Sequence, residues 1–353
     1  MNGDVVYPKS VKPGDTIGLV MPSSMIDQAT LDKVLQAANN LGVKCKIGNA
    51  MSRAIRLFTA QQSGTIDQLW ATLSVNERSE YEHYIGSGYM AGSPRGRAED
   101  INNFFADDEV QAIWCLRGGY SSSQIMPYLD YELIRSHPKQ LLGYSDITNV
   151  INGMFRQTSV VTYHAPMLAP NFTKSELLED GQVDGYTLSY FGQLIMSDWD
   201  EVELTNPTGI PMQTLVPGQA DGQIVGGNLS VLARAVGTPY LPQTSGRIVF
   251  LEEVKTHVVL CDMALTELEQ AGFFTNIRGL ILGDFTECHN RTGYDKCQNW
   301  LVDRVLRNHF AGSPFPVVSG VKIGHDKHSM TIPIGANCHM DADRQQIIVS
   351  RKS

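Results

Sequence analysis

Residues 112–126 read Ala-Ile-Trp-Cys-Leu-Arg-Gly-Gly-Tyr-Ser-Ser-Ser-Gln-Ile-Met. Ala112–Leu116 has the apolar content of a strand buried on both faces, the kind found in parallel sheets. Gly118-Gly119 then permits a tight turn that residues with side chains resist. Three serines follow, and the chain next reads as the start of a helix. A serine on such a turn sits at the carboxyl end of a strand, where open α/β sheets place their sites. The arrangement has the logic of a nucleophile elbow, with an exposed hydroxyl and the next backbone N–H facing a developing oxyanion. It is not G-x-S-x-G, so Ser121, Ser122 and Ser123 all remain open. A structural reading competes, because serine is also favoured as a helix N-cap.

Outward from this stretch the first 165 residues alternate strand and helix. Thr16–Val20, Val43–Ile47, Gln140–Gly143 and Val160–Tyr163 read as strands. Leu31, Val34, Leu35 and Ala38 repeat at helical spacing and Gly42 closes that helix. Arg97–Phe105, Tyr128–Ser136 and Ile147–Phe155 also read as helices. Strands spaced by helices predict a parallel sheet covered on both faces. Residues 51–85 interrupt the rhythm as a polar insertion outside the sheet, with one helix expected near Thr65–Leu73. Residues 171–218 form a connecting segment, helical at Tyr186–Met196 and extended from Trp199 to Leu204. From 219 to 353 a second, smaller αβ unit is expected, with strands at Gln223–Val225, Arg247–Leu251 and Leu280–Leu282. Its helices are placed at Leu229–Val236, Cys261–Ala271 and Trp300–Phe310, and its tail in short β-like runs.

Composition narrows the function. The chain has 353 residues, 42% apolar and 18% charged, with a formal net charge of −9. An acidic chain without basic runs is a poor partner for nucleic acid or an anionic membrane. Its apolar stretches fall far short of the roughly 20 residues that span a bilayer. The N-terminus lacks the basic and apolar regions of a signal peptide, so a cytoplasmic protein is expected. Six scattered cysteines with no CxxC pair read as reduced thiols. Cys288-His289 and Cys297 do not have the spacing of a zinc site, so no metal is expected. The turn after the first strand, Met21-Pro22-Ser23-Ser24, lacks the glycines of a dinucleotide site, so no cofactor is expected.

A serine nucleophile needs a base and the base needs an orienting group. Among nine histidines, His325 in a polar loop and His164 after a strand are the candidates, whereas His309 reads as a helix end. Glu252-Glu253 closes an apolar strand, and neighbours there face opposite sides, so at most one serves a site.

Several motifs occur in order: Gly118-Gly-Tyr-Ser-Ser122, Gly143-Tyr-Ser-Asp-Ile-Thr148, Gly227-Asn-Leu-Ser230, Phe250-Leu-Glu-Glu253, Ile281-Leu-Gly-Asp-Phe-Thr286 and Gly324-His325 before Ile332-Pro-Ile-Gly335. With Lys12-Pro-Gly-Asp-Thr-Ile-Gly18 they make the chain resemble the LD-carboxypeptidase family of serine peptidases, which includes the microcin C immunity peptidases. The resemblance spans residues 9–50 and 86–350. It implies a Rossmann-like N-terminal domain (1–170) carrying the nucleophile and a C-terminal domain (219–353) carrying the other triad members. The site then lies between them. It also implies Ser122 as nucleophile, Glu252 as the acidic member and His325 as the base. The N–H of Ser123, with Gly92 as second donor, would hold the oxyanion. Arg117 is placed to anchor a substrate carboxylate, and Trp199 resembles the nucleotide-stacking residue of the microcin branch.

The favoured substrate is a murein tetrapeptide losing its terminal D-alanine, with a peptidyl-nucleotide amide as the alternative. Residues 51–85 are longer than the family usually shows. Expected partners are a small peptide substrate and, at most, a second copy of the chain. A non-catalytic small-molecule binding protein is the rival of another class. It would keep Gly118-Gly119 and need neither Glu252 nor His325.

Overall fold

A computed structural model describes residues 4–173, 177–179, 182–288 and 300–352. β1 (Thr16–Val20) leads to α1 (Gln28–Asn40), whose N-terminus is capped by Asp27 accepting from the Thr30 N–H at 2.8 Å. Leu31, Val34 and Ala38 form the buried stripe of α1, and Gly42, at φ +77°, turns the chain into β2 (Lys44–Ile47). The segment expected to be a polar insertion with one helix holds three: α2 (Asn49–Gln62), α3 (Ile66–Trp70) and α4 (Val75–His83). Its average polarity hides the period, for Met51, Ala54 and Ile55 of α2 are core residues while Arg53 and Arg56 face outward. α2 packs on the apolar cluster of Ile17, Leu19 and Trp114, whereas no residue of α3 or α4 is fully buried.

α5 (Pro94–Ala106), capped by Ser93, precedes β3 (Val110–Cys115). A 3₁₀ turn at Ser122–Tyr128 stands where a helix start was expected, and Pro127 inside it cannot donate an intrahelical bond. Then come α6 (Tyr131–Ser136), β4 (Gln140–Gly143), α7 (Thr148–Thr158), β5 (Thr162–His164) and α8 (Leu168–Thr173). The pair β6 (Leu178–Glu179) and β7 (Gln182–Val183) leads to α9 (Gly185–Leu194), β8 (Glu201–Glu203) and β9 (Gln213–Val216).

The rest contains β10 (Gln219–Asn228), α10 (Leu229–Arg234), β11 (Ile248–Val254), α11 (Val258–Gln270), β12 (Gly279–Thr286) and α12 (Trp300–Phe310). It ends with β13 (Val317–Ser319), β14 (Ile332–Ile334), β15 (Asn337–Asp341) and β16 (Gln346–Ser350).

Two mixed sheets organise the chain. The first has the order β14-β5-β4-β3-β1-β2 and is parallel except for β14. The second has the order β8-β16-β15-β10-β11-β12-β13-β9, parallel from β10 to β13 and antiparallel at its margins. β14 comes from the tail yet pairs with β5, so the second half of the chain closes the edge of the first sheet. Close backbone approach joins the two halves. α7 lies on β10, where Asn152 donates to the Gly226 carbonyl at 2.8 Å and accepts from the Gly226 N–H at 3.2 Å. The carboxyl ends of β3, β4 and β11 thereby meet in one region.

Candidate active site

The turn after β3 is shaped by what its glycines touch. A Cβ on Gly118 would sit 2.9 Å from the Ser145 side chain, and one on Gly119 would sit 2.0 Å from the Ser24 hydroxyl oxygen. Gly119 also has φ +151°, which side-chain-bearing residues avoid. The three serines that follow have different fates. Ser121 is buried and its hydroxyl accepts from Arg97 Nη1 at 3.1 Å. It occupies the cap position of the 3₁₀ turn but makes no side-chain capping bond. Ser123 is exposed. Ser122 is buried; its N–H donates to Asp146 Oδ2 at 2.8 Å and its hydroxyl to the Asp146 carbonyl at 2.5 Å.

Asp146 lies in the turn after β4, entered through Ser145 at φ +62°. Its carboxylate also accepts from the Ser23 hydroxyl at 2.6 Å. The glycine-free turn after β1 therefore supports the serine turn, and Ser24 adds a bond to the Tyr89 carbonyl at 2.8 Å.

His325 and Glu252 come together. Nδ1 of His325 lies 2.7 Å from Glu252 Oε2, and the carboxylate is fully buried. A carboxylate only accepts, so the bond places the proton on Nδ1 and leaves Nε2 as the basic nitrogen. Gly324 makes this contact possible, since at φ +133° a Cβ there would lie 2.9 Å from Glu252 Oε2. The imidazole packs on Tyr144 with ring centroids 4.7 Å apart, over the same turn that Ser122 engages through Asp146. The Ser122 hydroxyl in this structure donates to the Asp146 carbonyl rather than to His325.

Strand alternation separates the neighbouring glutamates. Glu253 accepts from Asn228 Nδ2 at 3.0 Å and from the Ser230 N–H at 2.9 Å, which fixes the start of α10. The β11–β12 register slips between Leu251 and Glu253, a bulge of the kind that re-aims a side chain near a site.

The other sequence candidates scatter. His164 is fully buried against Tyr144 and Phe250, and neither ring nitrogen has a partner among the described residues. Burial, helped by the nearby His325, pushes its pKa down to about 3. It is thus a neutral wall of the site and not its base. Trp199 corrects an expectation. It is buried, its indole N–H donates to the Leu194 carbonyl at 3.1 Å, and its ring meets Tyr7 and the Arg351 guanidinium. Its neighbour on β5 is Tyr163, whereas the next residue, His164, faces Tyr144 and Phe250. Its aromatic character serves packing.

Arg117 is exposed near the serine turn, with one donor held by the Met25 carbonyl at 3.0 Å. Gly92 is buried at φ +106°. Among the described residues no group of three His, Cys, Asp or Glu side chains could hold a metal ion. His289 and Cys297 lie outside them.

Two participants were not singled out in the sequence. Arg97 is buried on α5 and reaches the carbonyls of Gly92, Pro22 and Ser121 together with Gln124 Oε1. Desolvation lowers its pKa to about 10, so it remains a cation. The signal was present, for Arg97 falls on the helical stripe of Ile101, Phe104 and Phe105. Asp146 was visible within Gly143-Tyr-Ser-Asp146, but nothing local indicated that its two acceptors would hold Ser122.

Comparison with known proteins adds the family. Residues 59–165 match the LD-carboxypeptidase N-terminal domain and residues 221–340 the LD-carboxypeptidase C-terminal domain. The chain is 32% identical to the probable murein peptide carboxypeptidase of Bacillus subtilis, covering 97% of this chain and 93% of that protein. It is 24% identical to the microcin C7 self-immunity protein MccF of Escherichia coli, over 75% of this chain and 80% of that one. An MccF-like protein of Bacillus anthracis superposes with a TM-score of 0.76 at 23% identity, covering 98% of this chain and 99% of that chain.

Proposed function

Because the chain belongs to the LD-carboxypeptidase family, we propose that it is a serine carboxypeptidase that removes the terminal D-alanine from a murein tetrapeptide by cutting an L,D-amide bond. The observation that carries the mechanism is the 2.7 Å bond between His325 Nδ1 and buried Glu252. It prepares Nε2 to receive a proton. Ser122 leaves the Asp146 carbonyl, gives its proton to Nε2 and attacks the amide carbonyl. His325 then protonates the leaving amine, while Glu252 holds the tautomer and stabilises the imidazolium. Water repeats the sequence to release the acyl group.

The N–H of Ser123 and that of Gly92 are the proposed oxyanion donors, each worth about 3–4 kcal/mol in the transition state. The exposed Arg117 is the proposed anchor for the carboxylate next to the cut. The similarity to the immunity protein keeps a peptidyl-nucleotide amide as the second reading. Trp199 no longer supports it, because the residue offered for base stacking is buried in packing.

Three measurements test this. A fluorophosphonate should leave its mass on Ser122, and Ser122→Ala should lose turnover by several orders of magnitude while keeping its fold. Ser121→Ala or Ser123→Ala as the inactive variant would remove Ser122 from the role. Mass spectrometry after incubation with an L,D-tetrapeptide should show free D-alanine. Cleavage of a peptidyl-adenylate analogue alone would transfer the assignment to the second reading.

A further inference from the structure

α4 is an odd helix: a capping box of Ser74 and Glu77 starts it, yet none of its residues is fully buried. One of them, Glu80, nonetheless turns inward and is only 11% exposed. Its Oε1 accepts from the Ser93 N–H at 3.0 Å and the Ser93 hydroxyl at 3.1 Å, while Oε2 accepts from Arg53 Nε at 2.6 Å. The same Oε1 lies where a Cβ on Gly92 would come within 2.9 Å, so the carboxylate is seated on the glycine itself. Ser93 in turn caps α5 by accepting from the Gly96 N–H at 3.2 Å.

From there the bonds run on without a gap. The Gly92 carbonyl accepts from Arg97 Nε at 3.0 Å, and Arg97 Nη1 holds the Ser121 carbonyl at 3.1 Å, one residue before Ser122. The Ala91 N–H donates to the Ser23 carbonyl at 3.0 Å, and Ser23 holds Asp146, the partner of Ser122. Two routes thus connect the Gly92 loop to the serine turn, and Glu80 fixes that loop from outside.

We propose that Glu80 is a positioning residue for the reaction: through Ser93 and Gly92 it sets the loop that faces the serine turn, making the 51–85 segment part of the catalytic apparatus. The inference rests on the proposed roles of Ser122 and Gly92. A gap at Glu80 frees the Gly92 peptide to rotate, and a displaced oxyanion donor forfeits part of its stabilisation.

The test measures the second-order rate at which a fluorophosphonate labels Ser122, read by peptide mass spectrometry, so that no knowledge of the substrate is required. Glu80→Ala should label at least about tenfold more slowly than the unaltered chain, with its circular dichroism spectrum preserved. Glu80→Gln should stay within about threefold, because its amide oxygen still accepts from Ser93. Glu80→Asp keeps the charge near Arg53 but withdraws the oxygen from Ser93, and it should fall between them; it decides the matter if Glu80→Ala does not fold. Equal rates for Glu80→Asp, Glu80→Ala and the unaltered chain would overturn the positioning role while leaving Ser122 as nucleophile. A Glu80→Gln variant as slow as Glu80→Ala would overturn it too. No labelling of Ser122 in the unaltered chain would instead overturn the serine mechanism, and the positioning role with it.

Discussion

Glu252 and Glu253 show how two identical side chains acquire different duties from one peptide bond of separation. The Glu252 carboxylate is hydrogen-bonded to His325, whereas Glu253 binds Asn228 and Ser230 at the start of α10. Glu252→Gln keeps the shape but no longer favours the tautomer with the proton on Nδ1. Turnover should fall by about 10³-fold or more, with little change in the melting temperature. Glu253→Gln should keep most of its turnover and lose about 1–3 kcal/mol in urea unfolding, the cost of impairing a buried charge-assisted bond. A greater kinetic loss at Glu253 would take Glu252 out of the triad.

At the scale of elements, the site is a meeting of turns, and the one after β3 is too tightly fitted at Gly118 and Gly119 to carry a side chain. The turn after β1 brings Ser23 and Ser24, the turn after β3 brings Gly119 and Ser122, and the turn after β4 brings Asp146. Gly119→Ala combines a disfavoured φ with a Cβ placed on the Ser24 hydroxyl. The turns must move apart, and a misplacement of about 1 Å is worth about 10²-fold in rate. Steady-state turnover should fall by that order. Gly64→Ala is the control: its φ of +69° is also positive, but a Cβ there meets open space. Comparable activity losses in the two variants would mean that backbone strain, rather than contact with Ser24, is the cause.

Across the whole molecule one continuous core joins the two sheets. Ile113, Tyr144 and Val150 belong to the same cluster as Ile224, Phe250 and Ile332. His164 lies at this junction and its pKa is held near 3 by burial. The unfolded chain returns it to about 6.5, so below that pH the unfolded state binds the extra proton. The contribution is complete above pH ~6.5 and is lost as pH falls toward 3, at about 1.4 kcal/mol per pH unit. His164→Phe, which removes two nitrogens without a partner among the described residues and keeps a ring against Phe250, should flatten that slope. Urea unfolding of both proteins at about pH 6 and pH 5 measures it, and identical slopes would refute the assignment.

The sequence by itself determined the α/β class, because a doubly buried parallel strand and an amphipathic helix each announce themselves over a few neighbouring residues. Val110–Cys115 and α1 are legible in this way, as are the glycines whose turns admit no side chain. The ordered motifs also pointed to the family, and with it to Ser122, Glu252 and His325 as candidates. Only the tertiary structure decided which groups meet. Glu252 and His325 are 73 residues apart, and their bond depends on β11 and the Gly324 loop arriving together. Asp146 and Arg97 could not be assigned locally, since their partners lie in turns brought near by the sheet. Trp199 was misplaced for the same reason: an indole packs or stacks by the same chemistry, and what covers it is a property of the fold.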